Sequence, residues 1–329
     1  MECRKIKVKH LNQSLLSNRS IDLAERIYSI RIKANNNILK KGLISKKHRN
    51  CPTCGSIKKD KFNLLGWGCA ICKKCKTKYA FQIPNKKGIE LYYSEISEIN
   101  LLLWQRSREK EFNSKLAVLK PYIKKNKLEE SIETLELGCG SGEFVDFLMK
   151  KNFKSKGIEI DDNLVQKGIK KGYNIMQGDV LNMELPSSDF YLCYEIIEHL
   201  IDPKSFLKNV YSKMRKGSYL IITTPNEDGY DNRAVSADTE SRFLASALFP
   251  PYHINAFSIK SLYFLALKIG FYIVDVSTPG LLDLAIVNHH LKILDDYDFK
   301  NKDKLLASWQ SSLSISNGSG HMQFILKKD

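Results

Sequence analysis

Glu133-Thr-Leu-Glu-Leu-Gly-Cys-Gly-Ser-Gly-Glu-Phe144 decides the fold. Ile132, Leu135 and Leu137 supply the apolar residues of a short strand, and glycines follow at 138, 140 and 142. Phe144, Val145, Phe147 and Leu148 then recur at helical spacing. The order is strand, glycine turn, helix. Glycine permits φ > 0 and lets a ligand approach the backbone closely. A helix beginning near Ser141 offers unpaired N–H groups and a positive dipole end to an anionic group. Dinucleotide-binding folds use the same pattern, and a tight turn without any ligand produces it too.

Acids further along narrow the ligand. Lys156-Gly-Ile-Glu-Ile-Asp161 reads as a second strand. Its Glu159 lies about 20 residues after the glycine turn, where a carboxylate accepts hydrogen bonds from ribose hydroxyls. Ile175–Val180 gives a third strand end carrying Asp179, Phe190–Leu200 a fourth strand running into a helix, and Gly217–Pro225 a fifth. Ser258 caps a helix over Ile259–Lys268 that Gly270 ends, Phe271–Val276 is a sixth strand, and Asn317–Lys327 returns as the last.

From about 131 to 276 this series resembles, in register, the class I S-adenosylmethionine-dependent methyltransferases. The resemblance implies an α/β fold: a Rossmann-like seven-stranded sheet with helices on both faces. It also implies roles. Glu136 would hold the cofactor's amino group through water. Gly138, Cys139 and Gly140 would pass under its methionine part. Glu159 would take the ribose hydroxyls, Asp179 the adenine amino group, and the Val180 N–H would lie near the ring. Glu195 borders the same crevice.

The 329-residue chain carries 43% apolar residues, a net charge of +16 and eight cysteines. No apolar run reaches the roughly 18 residues of a membrane helix, and the charged N-terminus lacks the apolar core of a signal peptide. The cysteines therefore read as thiols or metal ligands in a cytoplasmic protein. Residues 1–130 hold 30 Lys+Arg against 11 Asp+Glu, and residues 131–329 hold 22 against 25. The basic charge thus belongs to the N-terminal part, as a nucleic-acid-facing surface or as a lysine-rich default surface.

Cys51-Pro-Thr-Cys54-Gly55 and Cys72-Lys-Lys-Cys75 are two C-x₂-C knuckles separated by 17 residues. That spacing fits a closed four-thiolate zinc site with a structural role. Cys69-Ala-Ile-Cys72 competes with the second knuckle, but Lys-Lys-Cys-Lys-Thr-Lys-Tyr79 reads as a knuckle followed by a strand, which favours Cys72 and Cys75. The expected organisation is a basic helical arm over 1–49, a zinc ribbon over 50–84, a helical lead-in over 85–130, and the methyltransferase domain over 131–329 with an insertion at 277–320. Pro121 is expected to end or kink the lead-in, and the arm to pack on the next domain or on a partner.

On the acceptor side, Glu195, Glu198 and His199 follow the fourth strand, and Tyr252 and His253 stand in a long loop over 225–258. Histidine suits general-base work near neutral pH. Helix or loop packing is the alternative for each. The Asp/Asn-Pro-Pro-aromatic signature of base amino-group methylation is absent after the fourth strand. A zinc ribbon, Tyr252-His-Ile-Asn255 and Ser319-Gly-His-Met322 together resemble a bacterial subgroup often linked with surface-polysaccharide or sugar pathways. That resemblance implies a small hydroxylated acceptor, a sugar or polysaccharide precursor. An rRNA or tRNA methyltransferase using the ribbon and the basic part to bind RNA is the runner-up. A non-enzymatic adaptor is disfavoured by the intact Gly138, Gly140, Glu159 and Asp179 set.

Overall fold

The computed structural model of the chain describes residues 21–96, 99, 108–125, 132–235, 247–279 and 302–329. The first part of the expected arm, stretches of the lead-in and much of the insertion lie outside the described residues.

Helix α1 (Ile21–Lys40) comes first, followed by the hairpin β1 (Lys59–Leu64) and β2 (Trp67–Cys72), then β3 (Lys78–Ala80). Helix α2 (Lys86–Glu95) begins at the start of the expected lead-in, because Asn85 accepts the Gly88 N–H and caps it. Helix α3 (Glu109–Lys125) contains Pro121 without ending there. The core follows as β4 (Glu133–Leu137), α4 (Glu143–Met149), β5 (Lys154–Glu159), α5 (Asp162–Lys170), β6 (Ile175–Gln177), β7 (Phe190–Tyr194), α6 (Pro203–Lys213), β8 (Tyr219–Pro225) and α7 (Tyr230–Val235). The chain closes with β9 (Asn255–Ala256), α8 (Ile259–Ile269), β10 (Tyr272–Ser277), α9 (Lys302–Ile315) and β11 (His321–Lys327).

Seven strands form one sheet in the order β10-β11-β8-β7-β4-β5-β6. The pairs β6–β5, β5–β4, β4–β7 and β7–β8 are parallel, while β11 runs antiparallel to both β8 and β10. The expected seven-stranded α/β sheet is present. Period-two alternation divides its side chains between two covered faces. Tyr191, Cys193, Leu220, Ile222, Phe324 and Leu326 pack with α6 and α8. Phe190, Leu192, Tyr219, Ile221 and Ile325 pack with α3 and α4 through Phe112, Leu116, Leu119, Phe144 and Leu148. Ser258 and Ser261 form a reciprocal capping box at the start of α8, and Gly270, at φ 113°, ends it.

The N-terminal elements are tied to this core. The four-stranded sheet runs β1-β2-β3-β9, so a two-residue strand from the core segment completes the ribbon sheet, with Lys78 opposite Ala256 and Tyr79 opposite Asn255. Arg49 donates to the carbonyls of Ala80, Ile201 and Ile254 and to Asn255 Oδ1. Lys78 pairs with Glu227. Ala34 and Ile38 of α1 join Trp67, Cys69, Ala80, Tyr92, Leu248 and Ile254 in one apolar cluster. The arm thus packs on the ribbon and on the loop that reaches the core.

Candidate active site and metal centre

Because β6, β5, β4, β7 and β8 are parallel, their carboxyl ends share one edge, with the direction of winding reversing between β4 and β7. The glycine turn lies at that point. The Gly138 and Cys139 N–H groups both donate to the Ile158 carbonyl, at 2.8 and 3.0 Å, which bends the turn over β5. Gly138 has φ +70°, and a Cβ there would come within 2.2 Å of Ile196 Cδ1. Cys139 is 8% exposed, and burial raises its thiol pKa. The Gly140 N–H donates to Glu159 Oε2 at 2.9 Å, and the Ile160 and Asp161 N–H groups donate to Oε1 at 2.8 and 3.0 Å. These three donors orient the Glu159 carboxylate at the strand end, although burial still raises its pKa. Helix α4 begins at Glu143, two residues past the expected start. Asp179 accepts from the Leu181 N–H and from the Asn182 amide, beside the buried Val180.

Glu136 carries the sign of a missing partner at the glycine turn. It is 6% exposed, and its Oε2 has no hydrogen-bond partner. Burial raises its pKa to about 7, opposed by Lys115 and Arg108 on and beside α3. A buried carboxylate with an orphaned oxygen is costly until a donor or cation reaches it. The sulfonium cofactor's ammonium group is such a donor, so the residues present fit that cofactor.

On the acceptor side, residues 195–200 form turns, and the helix expected directly after the fourth strand starts only at Pro203, where Asp202 accepts the Ser205 N–H. The reason lies 55 residues away in the chain. The buried Asn255 amide donates to the carbonyls of Ile197 and Leu200, at 3.2 and 2.7 Å. The Ile254 and Asn255 N–H groups both donate to the Glu198 carbonyl at 3.0 Å. Those carbonyls are no longer available to a helix.

This grip places Glu198 and His199 against His253. Glu198 is 1% exposed; its Oε2 accepts the Thr224 hydroxyl at 2.9 Å, and Oε1 has no hydrogen-bond partner. His199 Nδ1 lies 2.8 Å from the Tyr252 carbonyl, and the His199 and His253 rings are 5.0 Å apart. Burial lowers the His199 pKa to about 4, leaving a neutral ring that is a weak base for a hydroxyl. The Tyr252 ring lies between the Arg31 guanidinium, 3.8 Å from its centroid, and the His253 ring, 4.7 Å away. The Tyr252 ring thus packs within the loop, while its carbonyl holds His199. Glu195, at φ +56°, accepts the Thr223 hydroxyl and reaches His321 Nε2 of β11 at 3.3 Å.

The sulfurs of Cys51, Cys54, Cys72 and Cys75 all lie within 4.8 Å of one another. Cys51 and Cys75 are 3.4 Å apart, and Cys54 and Cys72 3.5 Å. A tetrahedral zinc with Zn–S of about 2.3 Å sets sulfurs about 3.8 Å apart, so a four-thiolate donor set in this array fits zinc. Cys69 stands elsewhere, on β2 opposite Phe62 and Ala80, fully buried. Arg49 and Thr224 are supporting residues that local sequence patterns did not single out, and Asn255 entered only as the end of the Tyr252–Asn255 segment, with no role assigned.

A family model described as "Methyltransferase domain" matches residues 104–276, more than half of the chain. Among curated proteins, a ubiquinone biosynthesis O-methyltransferase of Coxiella burnetii is 24% identical over 115 residues, covering 32% of this chain and 49% of that protein. A probable S-adenosylmethionine-dependent methyltransferase of Mycobacterium tuberculosis is 26% identical over 154 residues, covering 45% and 51%. The chain spans about half the length of these curated relatives. Among solved structures, a SAM-dependent methyltransferase from Archaeoglobus fulgidus aligns with a TM-score of 0.45 and 21% identity, over 68% of this chain and 96% of that one. Among the described residues no helix is long and apolar enough to cross a membrane. By the extent of the family match, the chain belongs to the methyltransferase-domain family.

Proposed function

We propose that the chain transfers a methyl group from S-adenosylmethionine to a hydroxyl of a small acceptor, a sugar or polysaccharide precursor. The observation that carries the cofactor assignment is the orphaned Glu136 carboxylate oxygen beside the glycine turn, in line with Glu159 and Asp179 at the sheet's carboxyl edge. Glu136 would hold the amino group, the Gly138–Gly140 turn the methionine part, Glu159 the ribose, and Asp179 with Val180 the adenine. The cofactor supplies an activated methyl on a sulfonium. The protein's part is positioning, exclusion of water and management of the acceptor's proton. That last task falls to the cluster of Glu198, His199 and His253, with Glu195 and Tyr252 as its supports.

Oxygen as the acceptor atom is supported by the Coxiella burnetii relative, which is named an O-methyltransferase. The sugar reading rests on the zinc-ribbon, Tyr252–Asn255 and Ser319–Met322 resemblance. We place a structural zinc on Cys51, Cys54, Cys72 and Cys75. The four expected segments stand as a working division, with the ribbon and core sharing a sheet through β3 and β9. RNA remains the second reading, supported by the basic N-terminal half and by Lys58, Lys73 and Lys74 lining an open cavity at the thiolate knuckles. Cofactor turnover against nucleotide sugars and against bulk tRNA and rRNA, at two salt concentrations, separates the two. The sugar reading expects turnover with a sugar and little salt dependence. Methylation of RNA alone, falling steeply with salt, overturns it.

A further inference from the structure

A second donor cluster lies outside the thiolate site. Glu198, His199 and His253 each turn one ligand atom into a common space, all within 4.8 Å of one another. Three features make it electron-rich. Glu198 is 1% exposed, and its Oε1, which has no hydrogen-bond partner, lies 3.8 Å from His199 Nε2. A carbonyl only accepts, so His199 Nδ1 carries the hydrogen given to Tyr252, and Nε2 presents its lone pair toward Glu198. Among the described residues, the nearby cation Arg31 stacks on Tyr252 and makes no ion pair with Glu198.

A buried carboxyl oxygen facing a lone pair calls for a proton or a cation between them, and 3.8 Å leaves room for the cation. A histidine whose other ring nitrogen donates to a backbone carbonyl is the arrangement that orients a metal-ligating imidazole. We propose that Glu198, His199 through Nε2, and His253 bind a divalent first-row cation. A donor set of two imidazoles and one carboxylate suits zinc, manganese or iron(II) and leaves coordination positions for water or an acceptor oxygen. This site differs in donor chemistry from the thiolate site. It deepens the methyl-transfer reading and rests on it for its purpose: a hydroxyl liganded there would lose its proton to water near neutral pH. The site's existence does not depend on that purpose.

The test incubates the full chain with Mn²⁺, removes free metal by desalting, and counts all bound metals by elemental analysis. Manganese(II) is a hard ion that does not displace zinc from thiolates. Glu198→Gln and His253→Gln are compared with the wild type; circular dichroism and thermal unfolding report that each variant is folded, and calorimetry with S-adenosylhomocysteine reads cofactor binding separately. Glu198 is buried, so His253→Gln, at a partly exposed position, provides the second, milder variant. The expected result is one metal ion fewer per chain in each variant, with the thiolate-bound metal unchanged. Equal metal counts in wild type and His253→Gln overturn the site. Cofactor binding without the metal difference sinks this inference alone. The metal difference without cofactor binding sinks the methyl-transfer reading and leaves the site standing.

Discussion

Replacing Glu136 by Gln isolates the buried carboxylate beside the glycine turn. The carboxyl group is fully buried, and burial raises its pKa from the ordinary 4.5 to about 7. Each tenfold change in a protonation equilibrium is worth about 1.4 kcal/mol, so the rise corresponds to about 3 kcal/mol. The sign follows from proton counting. Between pH 4.5 and 7 the unfolded chain has released this proton while the folded chain keeps it, so the folded state loses stability as pH rises through that window. Glutamine does not ionise and removes that component. In the cofactor-free protein, Glu136→Gln should therefore gain stability relative to wild type by about 2.5 kcal/mol between pH 5 and pH 8, the rest of the shift lying below pH 5. Urea denaturation at the two pH values measures the difference, and because only the variant-minus-wild-type change is read, other titrating groups cancel. Cofactor binding should show the reverse. The ionised carboxylate is the form that pairs with an ammonium group, so wild-type affinity should rise with pH up to about 7 and then level off, while the variant binds more weakly with little pH dependence. A stability difference that stays constant from pH 5 to 8 would refute the burial argument.

Gly138→Ala places a Cβ 2.2 Å from Ile196 Cδ1 at φ +70°, which should cost about 1–3 kcal/mol in thermal or urea unfolding and weaken cofactor binding. Arg49→Ala removes a donor that the Ala80, Ile201 and Ile254 carbonyls share, and should destabilise the fold by about 1–3 kcal/mol while loosening the joint between ribbon and core, read by hydrogen exchange at Ala80, whose N–H donates to the Ile254 carbonyl. Cys72→Ser should lose the thiolate-bound zinc in elemental analysis, whereas Cys69→Ser should retain it; loss in the latter would reassign the ligands. Because β3 pairs with β9, chelation should also increase exchange at Ala256, opposite Lys78, so disturbance confined to residues 50–84 would count against the shared sheet.

The strand–glycine–helix unit was legible because its signals are local: a period-two apolar run, three glycines, then helical spacing. The acids at strand ends were legible for the same reason, since each follows its own apolar run. What escaped was long-range. The turn over Glu195–Leu200 reads locally as the entry to a helix, and only the Asn255 amide, distant in sequence, captures its carbonyls. Strand β9 is two residues long, too short for any periodicity, and exists because Tyr79 and Lys78 offer an edge. Pro121 marks a helix break by its missing N–H, yet α3 continues to Lys125 with Leu119 buried against the sheet. Tyr252 and His253 were placed together from their loop position. That His199, rather than an acceptor, occupies the Tyr252 carbonyl depends on the fold of both turns.

The central claim is that the crevice at the carboxyl edge of β4, β5 and β6 holds S-adenosylmethionine. Isothermal titration of the full chain with S-adenosylmethionine and with S-adenosylhomocysteine tests it most directly. The account predicts one site per chain with micromolar-range affinity, about −8 kcal/mol, weakened by Asp179→Ala and blocked by Gly140→Val. A folded wild-type protein that binds neither ligand would contradict it.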